Sequence, residues 1–140
     1  MKAISLWEPW ASLIRVGAKK QETRSWYTAY RGPLLICAAK GGLGNGELEM
    51  LINQPVFQKA LQPLCPGKII TTDMFFHGKA VAIVELTNCK TTDIMSNQDV
   101  GADAPFGNFA PGRFAWKLEN LQAIEPFPIK GKQGLFNYEP

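Results

Sequence analysis

Lys19, Lys20, Glu22 and Arg24 crowd into the stretch GAKKQETRSW, residues 17–26, which ends on Trp26 and lies shortly after Trp7 and Trp10. Two kinds of chemistry suit such a set. Cations around a carboxylate can grip phosphates and read base edges, while indoles offer surfaces for stacked bases. Alternatively, a lysine whose pKa is lowered by neighbouring Lys20 and Arg24 can serve as a base or nucleophile, with Glu22 as its partner. On a regular strand Lys20, Glu22 and Arg24 share one face, a plus–minus–plus array within ~14 Å, and Lys19, Gln21, Thr23 and Ser25 share the other. A break in regularity near Gly17 would turn Lys19 into the same cleft.

The rest of the N-terminal third supports the binding chemistry. Residues 1–40 hold seven basic and two acidic side chains, a local charge of +5. The remaining hundred residues hold eight basic and ten acidic ones, a charge of −2. A basic patch on a nearly neutral chain suits an anionic partner, because each phosphate contact releases condensed counterions. Trp7, Trp10, Trp26, Tyr27 and Tyr30 lie in the same segment. Trp10 sits on the apolar side of a helix and reads as core. Trp7 and Trp26, beside Glu8 and Arg24, suit stacking. The expected ligand is RNA or single-stranded DNA, held by Trp7, Glu8, Lys19, Lys20, Arg24, Ser25, Trp26 and Arg31.

Other chemistries find little support. The single histidine, His77, sits in a turn before a strand and reads as a surface residue, so neither a histidine dyad nor a metal cluster is expected. Ser12 and Ser25 lack the GxSxG elbow. Cys37, Cys65 and Cys89 are odd in number and widely spaced, as suits free thiols of a cytoplasmic protein rather than a disulfide framework or a zinc knuckle. The glycines of GGLGNGELEM match neither a Walker nor a dinucleotide pattern, so no phosphate-carrying cofactor is expected there. No apolar run approaches the roughly 18–20 residues of a membrane span, and MKAISLWEPW is not a signal peptide.

The elements that must position these residues follow from pattern and punctuation. KAISLW alternates as an opening strand, and Pro9 suits the first turn of a helix that Gly17 stops. KKQETRSWYT reads as one strand and WYTAYRG as a turn. GPLLICAAK is an unbroken apolar run of strand length, hence a core strand. Helices are expected near Glu47–Asn53 and Pro55–Gln62. HGKAVAIVELTNCKTT is a β-branched strand, DIMSNQDVGADAPFGNFAPG is a long loop of the kind that forms a rim or lid, and GRFAWKLENLQAIE returns as a strand. The tail adds a turn and a last short strand. With 46% apolar and 19% charged residues, the 140 positions form a single α+β domain of five or six strands and two or three short helices.

These motifs resemble the ASCH domain, the activating-signal-cointegrator homology family of the PUA-like superfamily. Gly17, Lys19, Glu22 and Arg24 meet its Gly-x-Lys-x-x-Glu-x-Arg pattern, and Glu8, Pro9 and Trp10 meet its entry to the first helix, with Glu8 where a glutamine is more usual. Ser25, Trp26, Tyr27, Arg31 and Gly32, and Pro128, Lys130 and Gly131 in the tail, are similar to the cointegrator members of the family. The resemblance spans residues 3–40, 80–90 and 113–137. It implies a small PUA-like β-barrel whose first helices flank a cleft for RNA, DNA or a nucleotide. It also implies an alternative activity, a small metal-independent hydrolase of modified nucleosides, or a ribonuclease. The family's amidohydrolases use a lysine, a threonine and a glutamate. Lys19 matches the lysine, Glu22 stands in the threonine's place, and Thr23 follows it. As an enzyme, the chain would use Lys19 and Glu22.

Overall fold

The computed structural model describes residues 1–140. Strand β1 (Lys2–Leu6) leads into the short helix α1 (Trp10–Arg15), and Gly17 ends that turn with φ +84°, a conformation only glycine adopts freely. Strand β2 is brief, Gln21–Arg24, and bends lead from it into β3 (Gly32–Ala38). Helices α2 (Asn45–Ile52) and α3 (Pro55–Ala60) precede the long strand β4 (Lys79–Thr91). A one-turn helix α4 (Asn97–Val100) and a 3-10 turn (Gly101–Phe106) interrupt the long loop before β5 (Phe114–Pro128) and β6 (Phe136–Asn137).

The six strands make one mixed sheet in the order β2-β5-β4-β3-β1-β6. β1 and β3 run parallel, and every other pairing is antiparallel. The alternation of β3 explains its unbroken apolar run. Leu34, Ile36 and Ala38 join the larger core cluster with α1 and Trp116, while Leu35 and Cys37 face a smaller cluster with Ala3, Ala80 and Phe136. Both faces of the strand are covered, so no polar alternation survives. A third cluster sets Leu13 of α1 against Leu48, Ile52, Phe57 and Phe106, seating α2 and α3 beside the first helix.

Three expectations are corrected. The helices number four rather than two or three, because the long loop winds α4 around a capping box between Ser96 and Asp99. The sheet is also not closed into a barrel. Register shifts along β4 and β5, between Ala80 and Ala82, Ile83 and Glu85, and Leu86 and Asn88, are irregularities of the kind that bend a sheet. β2 and β1 approach each other, yet no ladder joins them. A single side-chain bond spans the seam, from Arg24 Nη2 to the Ser5 carbonyl at 3.2 Å. The strand pattern read a continuous KKQETRSWYT strand, but regular pairing with β5 covers only Gln21–Arg24. No helix is long and apolar enough to cross a membrane.

Two charged groups, Glu8 buried and Arg15 half-buried, brace α1. Glu8 is 1% exposed, and its carboxylate accepts from Ser12 N–H at 2.8 Å, Ser12 Oγ at 2.7 Å and the Phe76 N–H at 3.0 Å. Arg15 donates to the carbonyls of Val81 and Ile124, both at 2.6 Å, with its guanidinium 5.0 Å from the Phe76 ring centre. Replacing Glu8 by alanine strands two buried backbone donors and a hydroxyl. Glu8→Ala is expected to lower the unfolding free energy by about 3 kcal/mol in urea titrations, and Glu8→Gln by less.

Candidate functional site

A cleft of about 560 Å³ opens at the seam between β1 and β2. Ser5 and Trp7 form one side, Lys19, Glu22 and Arg24 form its charged floor, and Phe106, Asn108 and Arg113 of the long loop form the opposite rim.

Lys19 lies just before β2 and turns inward. It is 2% exposed, and its ammonium donates to the Gln21 carbonyl at 2.6 Å and the Phe106 carbonyl at 2.7 Å, with Glu22 Oε1 at 3.5 Å. Three acceptors surround three N–H groups. The two carbonyls each take an N–H group, and the Glu22 carboxylate, in ion-pair reach, favours the charged form. Burial pulls the Lys19 pKa down, and the negative charges of Glu22 and Asp103 oppose that shift. Sequence reasoning ascribed a lowered pKa to Lys20 and Arg24. Desolvation is the larger cause, Arg24 contributes little, and Lys20 is not among the causes.

Glu22 relays this anchorage. Its Oε2 accepts from Arg24 Nε at 2.9 Å while Oε1 faces Lys19, so one carboxylate sits between two cations. Arg24 keeps a quarter of its side-chain surface exposed and has Nε and Nη2 engaged, leaving Nη1 without a protein partner. The alternation argument put Lys20 with Glu22 and Arg24. The strand begins only at Gln21, and Lys20 instead lines a separate depression with Lys90, Asp99 and Lys117, where Lys90 and Asp99 already pair at 3.5 Å.

The long loop is bound to the segment that carries these groups. Asp103, 4% exposed, accepts from the Lys20 N–H at 3.0 Å and the Gln21 N–H at 2.7 Å. Burial raises its carboxyl pKa, and those two backbone donors oppose the rise. Thr23 Oγ1 accepts from the Asn108 N–H at 3.0 Å, and Arg113 donates to the Asn108 and Thr23 carbonyls at 3.1 and 3.4 Å. The loop is therefore a fixed rim, not a free lid.

The aromatic residues divide. Trp7 is 54% exposed and borders the cleft. Gly42, at φ +140°, lies so close behind its ring that an added Cβ would come within 2.9 Å of it. One face of the indole is backed and the rest is open. Trp26 is 36% exposed, with its ring edge-on to the buried Trp116 at 4.8 Å. Trp10 is half-buried between two core clusters and touches the cleft floor.

Besides Lys20 and Trp26, three further expected ligand contacts lie outside the cleft. Glu8, just before α1, is buried and spent on Ser12 and the Phe76 N–H, as described above. Ser25 is exposed and borders none of the cavities. Arg31 is exposed outside the cleft, tied to the Thr28 and Tyr30 carbonyls at 2.9 Å and 5.9 Å from the Tyr27 ring centre. Sequence reasoning missed Arg113, Asn108, Asp103 and the Phe106 carbonyl. Only the long loop's length signalled them. No three His, Cys, Asp or Glu side chains gather as a metal would require.

This arrangement and its fold define a class. The ASCH domain family matches residues 4–128, and the chain belongs to that family. It is 54% identical over 142 residues to activating signal cointegrator 1 from Homo sapiens, and 54% identical over 140 residues to its Mus musculus counterpart. Each alignment covers 97% of this chain but only 22% of the relative, so the chain spans about a fifth of those proteins. The fold is shared with crystal structures of the ASCH protein from Zymomonas mobilis. A variant form superposes with a TM-score of 0.53 at 15% identity over 99% of this chain and 89% of that one. The unaltered form gives 0.52 at 16% identity over 99% and 87%.

Removing the Lys19 ammonium leaves Glu22 half-paired and two carbonyls without their donor. Lys19→Ala is expected to cost about 3–5 kcal/mol of stability in denaturant unfolding, and Lys19→Met combined with Glu22→Gln less than the sum of the single changes. A Lys19→Ala protein as stable as the parent would refute the structural role of this cation.

Proposed function

We propose that this chain is a nucleic-acid-binding ASCH module that takes single-stranded RNA or DNA into the cleft at the β1–β2 seam. One observation carries the reading: an oriented guanidinium with a free edge, Arg24, stands beside an exposed indole, Trp7, in the same cleft. A base stacks on Trp7 while Arg24 meets its phosphate or a base acceptor, and Arg113 supplies charge from the rim. Glu22 fixes the fork of Arg24 and offers its remaining lone pairs to a base amino group.

The geometry counts against the hydrolase reading. A nucleophile or general base needs a lone pair that substrate can reach, and the Lys19 amino group is buried, bonded to two backbone carbonyls and faced by Glu22 at 3.5 Å. Thr23, the neighbouring hydroxyl, is held by the Asn108 N–H. The human and mouse relatives are named as signal cointegrators, a role that binding without turnover serves.

In fluorescence anisotropy with a labelled single-stranded decamer, Trp7→Ala is expected to weaken binding by about 5- to 100-fold, the worth of one stacked base. Arg24→Ala is expected to weaken it and flatten the salt dependence by about 0.7 in log–log slope, with the RNA intact on a denaturing gel. Unchanged affinity in both variants, or RNA shortened only by the parent protein, would contradict the proposal.

A further inference from the structure

A second groove, of about 720 Å³, adjoins the cleft, and Ser5, Trp7 and Arg24 line both. Its far wall comes from the end of β3 and from the loop between β5 and β6, which bring Lys40, Lys130 and Lys132 together from ninety residues apart. All three are exposed, none pairs with a carboxylate, and no acidic residue lines the groove. With Arg24 the groove carries four cations. Trp26, just after β2, also borders it, so two exposed indoles line this groove, and Trp7 is the one shared with the cleft.

The loop is also seated. Gly131, between the two lysines, packs so tightly on β1 that an added Cβ would fall 2.3 Å from Ser5 Oγ. Any larger residue would have to displace the Ser5 hydroxyl, so glycine suits this close approach and sets the flanking lysines beside the seam.

We propose that this groove is the track for the phosphodiester backbone of a single-stranded polynucleotide as it leaves the cleft over Trp7. The inference rests on the cleft reading and adds a division of labour to it. The cleft's charges are partly neutralised by Glu22 and suit a single nucleotide held by stacking and hydrogen bonds. The groove's three lysines are unopposed and suit successive phosphates, whose capture releases counterions regardless of sequence. Continuity with the cleft and the two indoles favour a nucleic acid over an acidic peptide, because every nucleotide couples a phosphate to a base that can stack on Trp7 or Trp26, whereas carboxylate side chains carry no such surface.

The test is anisotropy of uniform single-stranded RNA of two, four, six and ten nucleotides, at 50 to 200 mM salt. Parent protein is compared with Lys130→Ala/Lys132→Ala and with Arg24→Ala. The two lysines are exposed and unpaired, so the double variant is expected to melt as the parent does. Affinity of the parent is expected to climb with length. The double variant is expected to bind the dinucleotide unchanged, to bind the decamer about tenfold more weakly, and to lose about 1.4 of the log–log salt slope, two contacts' worth. A double variant that binds the decamer as tightly as the parent, while Arg24→Ala does not, would overturn the track and leave the cleft reading standing. Absence of binding by the parent at every length would overturn both. Displacement of the decamer by polyglutamate of equal charge as readily as by unlabelled RNA would reassign the groove to an acidic protein segment.

Discussion

The buried ammonium of Lys19 is the interaction on which the site depends. Its carbonyl partners come from Gln21 in β2 and from Phe106 in a loop more than eighty residues later. A buried charge is costly unless its surroundings satisfy it fully, and here they do so by joining two distant segments. The same ammonium faces Glu22, and Glu22 in turn holds Arg24. A residue whose type suggests catalysis is thereby the keystone that orients the groups around it.

The second constraint is the sheet that does not close. A continuous ladder between β1 and β2 would fill the seam with paired backbone and leave no cleft. The structure spans it with one guanidinium at Ser5 and keeps the space beside it open. Trp7 follows β1 directly and the cations enter from β2, so the two kinds of group a nucleotide needs meet where pairing fails. Gly42 and Gly131, each packed against a residue of this edge, hold the indole and the basic loop in place.

Much of this was legible in the sequence. The Gly17 stop, the two-sided β3 run, the long β4 strand and the concentration of cations and indoles in the first forty residues all rest on local pattern, and each has its counterpart in the structure. That the sheet stays open rather than closing into the expected barrel was not legible, because curvature depends on register shifts in β4 and β5 that no periodicity records. The face assigned to Lys20 failed for a related reason: alternation holds only within a paired strand, and pairing starts one residue later. Glu8 looked like a site carboxylate because its burial is decided by Phe76, far along the chain. Asp103, Arg113 and the tail lysines meet their neighbours through long-range contacts, and nothing local in the sequence shows that Gly42 packs behind Trp7 or Gly131 against Ser5.

The measurement that bears most directly on the cleft is an NMR titration of isotope-labelled protein with a short single-stranded RNA, following the four indole N–H signals and the arginine Nε signals. The account predicts that Trp7, Trp26 and Arg24 shift together and saturate together, while the buried Trp116 moves little and the amides around Lys90 and Asp99 stay in place. Shifts confined to that Lys90–Asp99 depression, with Trp7 and Arg24 unmoved, would contradict it.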